Sequence, residues 1–311
     1  MYLSTPVVLL IFNRSDLTEI VFEAIRQVKP KKLLVVADGP RFAQEAEKCE
    51  KSRDVIQKID WECELLTNFS EINLGCKQRV SSGLDWVFSE VEEAIILEDD
   101  CLPNPSFFSF CETLLEHYRY DERVMMISGD NFQLSNSRTE YSYYFSKYTH
   151  IWGWASWRRA WQYYDVNMKT WEEYKKIGLI GSVCNDWYEQ KYWTDIFDQV
   201  FHGTINTWDY QWLYTCWCQN GLSIIPSCNL VSNLGFGSDA THTVNDSPWG
   251  RLPTTDIYKI EHPPFMVRNL DGDRYTFDYL FEGKKMREND TLIRKLRGQL
   301  SSIKRKLISC L

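Results

Sequence analysis

Apolar runs alternate with charged, helix-favouring stretches through the first hundred residues. Short apolar runs of the kind that form buried strands cover residues 7–12, 32–37, 62–67 and 94–97. The stretches between them favour helices at 17–27, 42–58 and 76–91. Four such repeats predict an α/β fold with a mostly parallel, doubly wound sheet and helices on both of its faces.

The pattern is less regular after residue 105. It predicts helices at 105–118, 157–178 and 180–202, and a further helix that opens at 208. It also predicts strands at 124–129 and 222–226, a strand or loop at 141–148, and a polar loop at 233–245. Because no repeat or low-complexity linker separates the halves, we predict a single domain over 1–283, with halves at 1–104 and 105–283.

Polar residues stand just beyond the ends of the first four predicted strands. They are Arg14, Asp38, Asn73 and Asp100. Right-handed crossovers bring the carboxyl ends of parallel strands to one edge of a sheet, so we expect these side chains to line one crevice. The chain has neither G-x-G-x-x-G after the first strand nor G-x-x-x-x-G-K-[ST], which argues against a dinucleotide fingerprint and a P-loop.

Three consecutive acids, Glu98, Asp99 and Asp100, follow the fourth strand directly. Adjacent carboxylates repel one another, and a cation among them removes that repulsion. Oxygen ligands of this kind suit Mg²⁺ or Mn²⁺. The alternative is a solvated acidic turn, but the immediate return to apolar and turn residues at 101–103 favours a cation site.

The composition fits an enzyme with a substantial core, since 44% of the 311 residues are hydrophobic. The 15% of aromatic residues concentrate after residue 140; such rings pack on sugars in carbohydrate sites, but they also fill cores. No apolar run of about 18 residues and no basic leader occurs, so we expect neither a bilayer span nor a secretory signal. The ten cysteines show no metal-ligand spacing, which favours reduced thiols and a cytoplasmic location.

Positive charge concentrates at the C-terminus. Residues 284–311 carry nine Lys or Arg against two acids, a net charge of +7, although the whole chain has −8. Leucines and isoleucines recur there at helical spacing, which predicts a basic amphipathic helix. Such a helix suits an anionic membrane surface, a partner helix or packing on the body of the protein, and these alternatives stay open. The acidic remainder of the chain argues against nucleic-acid binding.

Several short motifs, taken in their order along the chain, resemble the landmarks of GT-A type glycosyltransferases. The resemblance is to the group that includes N-acetylglucosaminyltransferase I and bacterial polysaccharide glycosyltransferases, and it covers roughly residues 5 to 245. The landmarks are a strand followed by Asn13-Arg14, a strand ending at Asp38, Asn73-Leu74-Gly75, Glu98-Asp99-Asp100, Gly153-Trp154, Trp208-Asp209 and a loop bearing His242. The resemblance implies a Rossmann-like GT-A fold, with the nucleotide in the first half and the donor sugar and acceptor in the second.

The same resemblance implies roles at the nucleotide end of the site. Asp100 would bind Mn²⁺ or Mg²⁺, and Asp99 would contact the ribose of a nucleotide-sugar donor of the UDP type. Arg14 and Asp38 would hold the base or the phosphates, and Glu98 belongs to the same acidic motif. A divalent cation between a carboxylate and a diphosphate stabilises the charge that leaves as the glycosidic bond breaks.

The resemblance also places Asn73 among the residues that bind the nucleotide sugar and His242 near its diphosphate. It places Gly153 and Trp154 beside the donor sugar and makes Asp209 the general base. An acceptor hydroxyl must lose its proton as it attacks the anomeric carbon, and one carboxylate within hydrogen-bond reach suffices. The ordinary alternatives are that Asp209 caps its helix or is a first-turn acid, that Gly153 and Trp154 pack at a tight bend, and that His242 is a polar loop residue.

We therefore expect a metal-dependent glycosyltransferase that extends a glycan or a lipid-linked oligosaccharide with inversion. The basic tail would hold it at the inner face of a membrane. A sugar nucleotidyltransferase is the alternative, but residues 12–16 do not supply the Gly-, Arg- or Lys-rich phosphate loop that it needs. A catalytically inactive relative that binds glycans is the non-enzymatic alternative.

Overall fold

The four strands predicted in the first hundred residues form one half of an eight-stranded sheet. The computed structural model describes residues 2–134, 136–236 and 249–291. The strands are β1 (Val7–Ile11), β2 (Lys32–Ala37), β3 (Glu64–Phe69), β4 (Glu93–Glu98), β5 (Cys101–Pro103), β6 (Val124–Ser128), β7 (Tyr143–Ser146), β8 (Trp154–Trp157), β9 (Leu222–Pro226) and β10 (Val231–Asn233). The central sheet has the order β3-β2-β1-β4-β8-β6-β9-β7, and β5 pairs with β10 separately.

Most neighbouring strands of the central sheet are parallel. β1 pairs with β2 and β4, β2 pairs with β3, and β6 pairs with β9, all in the parallel sense. β8 is antiparallel to β4 and β6, and β7 is antiparallel to β9. β4 and β6 therefore point in the same direction, so their carboxyl ends lie at the same edge. The prediction of an α/β fold with a mostly parallel sheet is confirmed.

Helices cover both faces of this sheet. They are α1 (Ser15–Val28), α2 (Ala46–Asp54), α3 (Gly75–Glu90), α4 (Pro105–His117), α5 (Arg158–Trp161), α6 (Trp171–Lys176), α7 (Ile180–Val183), α8 (Trp187–Phe201), α9 (Asp209–Cys218) and α10 (Leu270–Tyr279). In β1, Val7, Leu9 and Ile11 share a hydrophobic cluster with α1 and α4, whereas Val8 and Leu10 share one with α3 and α9. This alternation explains the continuous apolar run, because both faces of the strand are buried.

The long helices predicted at 157–178 and 180–202 are wrong in part, because four shorter helices, α5 to α8, occupy this stretch. After α5, the Asp165 carboxylate accepts hydrogen bonds from the backbone N–H groups of Asn167 and Lys169. An Asx turn of this kind competes with helix formation. Gly178, with φ of +76°, separates α6 from α7.

The tryptophans of the second half mainly fill cores. One buried group, the Trp193 cluster, lies among α6, α8 and α9; its large members are Trp171, Trp193, Phe197, Tyr214 and Trp217. A second group packs Trp154 against Trp161, Trp208 and Trp212. The high aromatic content is therefore explained largely by packing and needs no carbohydrate site.

The start of the basic tail packs on the body of the protein. Residues 283–291 are helical. Arg287 pairs with Asp278 and, at 2.8 Å, with Asp186, and Met286 packs on the Trp193 cluster. Residues 292–311 lie outside the described residues, so a helix over the whole of 284–311 and its contact with a membrane or partner stay predictions. Over the described residues, no helix combines the length and apolarity needed to cross a bilayer.

Gly83 sets the distance between α3 and β2. A Cβ at this position would lie 2.5 Å from Val36 Cγ1. We expect Gly83→Ala to lower the free energy of unfolding by about 1–3 kcal/mol, since overpacking forces a shift of backbone or side chains. Urea unfolding measures this change. Gly181→Ala, where a Cβ meets nothing closer than 3.8 Å, is the matched control and should leave stability unchanged or slightly higher; equal losses in both variants would contradict the packing argument.

Candidate active site

A cavity of about 710 Å³ opens at the carboxyl edge of the sheet. It lies where β1, β2 and β4 end, and it is bordered by the start of α9 and by residues that follow β10. Seven residues predicted for the site line it: Arg14, Asp38, Asn73, Glu98, Asp99, Asp100 and Asp209. The volume lies within the range of small-molecule sites, about 300–1,000 Å³.

Strand register explains why these residues meet. Leu10 of β1 pairs with Glu98 of β4, and Ile11 pairs with Ala37 of β2. The residues that follow each strand therefore emerge side by side at the same edge, as expected for parallel strands joined by crossover helices. The structure brings the predicted residues together, and their individual roles stay predictions.

Arg14 connects the ends of β1 and β4. Its Nη2 pairs with Asp99 Oδ1 and lies 2.9 Å from Asp100 Oδ2, while its Nε lies 3.4 Å from Asp99 Oδ2. Burial opposes the charge of the guanidinium, but Asp99 and Asp100 together outweigh burial and raise the pKa of Arg14. Arg14 therefore stays charged and neutralises part of the acidic triplet.

Two acids of the triplet, Glu98 and Asp99, have pKa values above those of exposed acids. Burial, followed by the charges of Asp100 and Asp99, raises the pKa of Glu98 to about 8. Burial also raises the pKa of Asp99 to about 6, although the Arg14 charge lowers it. Negative charge at this end of the cavity is thus undercompensated, and an added cation would favour the ionised carboxylates.

This acidic end fits a divalent cation only together with a ligand. Asp100 lines the cavity, and carboxylate oxygens are the donors that Mg²⁺ and Mn²⁺ prefer. Among the described residues, however, no three His, Cys, Asp or Glu side chains converge as a metal cage. Mg²⁺ usually takes one or two carboxylates and completes its shell with water and substrate phosphates. The donor set therefore fits a cation shared with a phosphate ligand.

Asp38 has protein partners on both of its oxygens. Oδ1 accepts hydrogen bonds of 2.9 Å from the backbone N–H groups of Gly39 and Leu74. Oδ2 accepts from the Gly75 N–H at 2.9 Å and from the Asn73 amide at 3.0 Å. Asp38 thus holds the turn at the start of α3 against the end of β2. A nucleotide contact by Asp38, as predicted, would have to compete with these four bonds.

Asp209 is the first residue of α9 and lines the same cavity as the triplet. Its charge helps to raise the pKa of Glu98, after the larger effects of burial, Asp100 and Asp99. Thr207 Oγ1 donates a hydrogen bond to Asp209 Oδ1. The N-cap position belongs to Trp208, so Asp209 is a first-turn acid and not the cap.

Gly153 and Trp154 are not among the described residues that line the cavity, so their contacts with a donor sugar stay a prediction that this arrangement does not support. Gly153 has φ of +73°, and a Cβ there would lie 2.8 Å from Val231 Cγ2. Trp154 is fully buried, with its ring 5.7 Å from that of Trp208. Both residues pack at a tight bend, which is the alternative stated above. His242 lies outside the described residues.

The lining residues that were not predicted from the sequence include Arg41, Arg79, Trp152 and Phe236. Arg79 stands one helical turn after Gly75, so the spacing on α3 could have indicated it. Trp152 precedes β8, whose start lies at the cavity because this strand runs antiparallel to β4. The direction of β8 is not readable from local sequence. Arg41 and Phe236 lie in loops without a recognisable pattern.

Comparison with known proteins gives no family assignment. No protein-family model matches the chain, and no curated protein matches it. Among solved structures, a UDP-glucose pyrophosphorylase complexed with UDP-glucose is similar with a TM-score of 0.25 and 9% identity over 43% of this chain and 65% of that one. A 4-diphosphocytidyl-2C-methyl-D-erythritol synthase from Anaerococcus prevotii is similar with a TM-score of 0.32 and 8% identity over 55% of this chain and 77% of that one. The chain thus spans slightly less than two thirds of the pyrophosphorylase, and its function has to be argued from its own site.

Asp130, just after β6, is a fully buried acid next to the cavity wall. Its Oδ2 accepts a hydrogen bond of 2.8 Å from the backbone N–H of Trp152, which lines the cavity. Its Oδ1 has no hydrogen-bond partner among the described residues. Burial raises the pKa of Asp130 well above its ordinary value. The buried acid therefore keeps its proton to a higher pH than an exposed aspartate does.

This burial predicts a pH-dependent stability. The folded protein binds the Asp130 proton more tightly than the unfolded chain does, and this difference adds to the free energy of unfolding. The contribution is complete below about pH 4. It declines by about 1.4 kcal/mol per pH unit as the pH rises toward the folded-state pKa of Asp130. Asp130→Asn removes this contribution. Urea unfolding from pH 4 to 8 should show the wild type losing stability relative to Asp130→Asn as the pH rises. The exposed Asp256→Asn variant should track the wild type; a constant difference between wild type and Asp130→Asn would refute the assignment.

Proposed function

We propose that this protein is a metal-dependent glycosyltransferase, which moves a sugar from a nucleotide sugar of the UDP type to a hydroxyl of a glycan or lipid-linked acceptor. One observation carries the proposal. Asp100 and Asp209 line the same cavity. Asp100, at the acidic end of β4, suits a cation shared with phosphate, and the separate carboxylate of Asp209 suits proton transfer. The proposal treats residues 1–283 as one catalytic domain of the GT-A type.

The nucleotide end of the cavity is bordered by positive groups. Arg14, Arg41 and Arg79 line it, and so does the N-terminus of α3 at Gly75 and Cys76. The Leu74 and Gly75 N–H groups already bond to Asp38, so it is the helix dipole at this terminus that favours an anion. These groups support diphosphate binding without a glycine-rich loop. A Mg²⁺ or Mn²⁺ held by Asp100 would add stabilisation of the charge on the departing nucleoside diphosphate.

The acceptor end depends on Asp209. As general base, its carboxylate would take the proton of the acceptor hydroxyl while that oxygen attacks the anomeric carbon. The hydrogen bond from Thr207 orients the Asp209 carboxylate at the start of α9. A direct attack assisted by one base inverts the anomeric configuration.

A sugar nucleotidyltransferase is the second candidate, because a pyrophosphorylase is among the similar structures. In that reaction a sugar phosphate attacks a nucleoside triphosphate and releases pyrophosphate. The attacking phosphate is already anionic, so it needs cationic neighbours and no base. The Asp209 carboxylate, which lines the cavity, would repel this phosphate. The charge pattern therefore favours transfer to a hydroxyl.

The nucleotide proposal predicts a joint effect of UDP and Mn²⁺ on thermal unfolding. A ligand at 100 times its Kd stabilises the folded state by about 2.7 kcal/mol, which corresponds to a shift of roughly 5 °C. We expect this shift with UDP and Mn²⁺ together and a smaller one with either alone. Asp100→Asn should lose the part that requires Mn²⁺, and Asp195→Asn, an exposed control on α8, should retain it. Binding of glycans without any shift from nucleotides would instead favour the inactive relative.

The base assignment predicts a selective loss of turnover. Asp209→Asn should lower the rate of UDP release from the preferred UDP-sugar by about 100- to 10,000-fold, because general-base catalysis is lost. Binding of UDP with Mn²⁺ should not change. Thr207→Val, which removes only the orienting hydrogen bond, should lose less. Full turnover in Asp209→Asn, or pyrophosphate release from UTP and a sugar 1-phosphate by the wild type, would overturn the assignment.

A further inference from the structure

Both carboxylate oxygens of Asp100 are engaged by protein groups. Oδ1 lies 3.4 Å from Cys101 Sγ, and Oδ2 lies 2.9 Å from Arg14 Nη2. Gly235 presses its backbone against Oδ2 so closely that a Cβ there would overlap this oxygen. The Leu234 N–H donates to the Asp100 carbonyl at 2.7 Å and holds that backbone in place. Backbone therefore closes one side of Oδ2, and the Arg14 side chain closes another.

Arg14 is the movable member of this arrangement. Its guanidinium also pairs with Asp99, whose side chain is only 5% exposed, whereas Arg14 is 23% exposed. A guanidinium carries five donors and can keep one carboxylate while it releases another. The same nitrogen, Nη2, contacts both Asp99 Oδ1 and Asp100 Oδ2, so Arg14 releases Asp100 when its guanidinium turns into the cavity and keeps Asp99 through Nε.

We infer that Arg14 competes with the divalent cation for Asp100 and yields that carboxylate only when a diphosphate receives the guanidinium. The inference rests on the proposed function and deepens it, since it makes cation binding depend on the nucleotide. A divalent ion beside an undisplaced guanidinium meets like charge, and a diphosphate removes that repulsion for both groups. By thermodynamic linkage, each ligand then strengthens binding of the other by the same factor.

The test measures binding of Mn²⁺ itself, by the electron paramagnetic resonance signal of the free ion, with and without UDP. The wild type should bind Mn²⁺ weakly alone and more tightly with UDP. Arg14→Gln should bind Mn²⁺ alone about tenfold more tightly than the wild type and should lose most of the coupling to UDP. Arg14→Lys, which keeps a positive charge, should resemble the wild type without UDP. Arg26→Gln, at an exposed position of α1, the helix that begins directly after Arg14, is the matched control and should change nothing.

A second variant separates competition from misfolding. Arg14→Gln leaves Asp99 as a buried acid without its partner, so Arg14→Gln/Asp99→Asn replaces the pair by neutral groups and keeps Asp100. This double variant should also bind Mn²⁺ alone more tightly than the wild type, with an unchanged circular dichroism spectrum. If the wild type couples Mn²⁺ to UDP but neither variant gains affinity for Mn²⁺ alone, the competition is wrong and the proposed function stands. If the wild type binds neither ligand, separately or together, both are wrong.

Discussion

The ion pair between Arg14 and Asp99 ties the carboxyl end of β1 to that of β4, and the shape of the cavity depends on it. Burying the pair costs desolvation, so it contributes little net stability compared with an apolar contact. Breaking it would leave a buried charge, which in proteins costs about 3–5 kcal/mol. The pair therefore acts mainly as a positional constraint. It fixes the chain direction at the start of α1 and the place where Asp100 meets the cavity.

A second constraint comes from Asp38. Asp38 follows β2 as Asp100 follows β4, but the two carboxylates have different partners. Asp38 is buried, and four hydrogen bonds from the turn before α3 satisfy its oxygens. Gly39 permits this turn, since a Cβ there would lie 2.5 Å from the Ile72 backbone. Asp100 borders the same cavity, where its carboxylate contacts the Cys101 thiol and the Arg14 guanidinium. The backbone N–H donors around Asp38 thus order a turn, whereas the arginine that contacts Asp100 is a side chain that can move.

The first half of the fold could be predicted because β1, β2 and β4 are buried on both faces and polar residues stand at their ends. Right-handed crossover connections then make these strands parallel, so their carboxyl ends share one edge of the sheet. This is why Arg14, Asp38 and Asp100 were predicted at one edge. Less of the second half could be predicted from the sequence. The tryptophan-rich stretch has no clear period, and a local turn at Asp165 breaks the helix. The reversed direction of β8 puts Trp154 in the core and the preceding Trp152 in the cavity, and nothing in the local sequence reports that reversal.

The charges around the cavity restrict what it can bind. Among the described residues, five acids and three arginines line it: Asp38, Glu98, Asp99, Asp100, Asp209, Arg14, Arg41 and Arg79. Arg14 is engaged by two of these acids, and Arg41 pairs with Glu45. A bare diphosphate would therefore meet more negative than available positive charge, and a bare cation would meet Arg14 at the carboxylate it needs. The cation would offset the excess negative charge that a diphosphate meets, and the diphosphate would draw Arg14 from the carboxylate that the cation needs. Under the proposed function, these lining charges therefore make the cavity selective for the two ligands together.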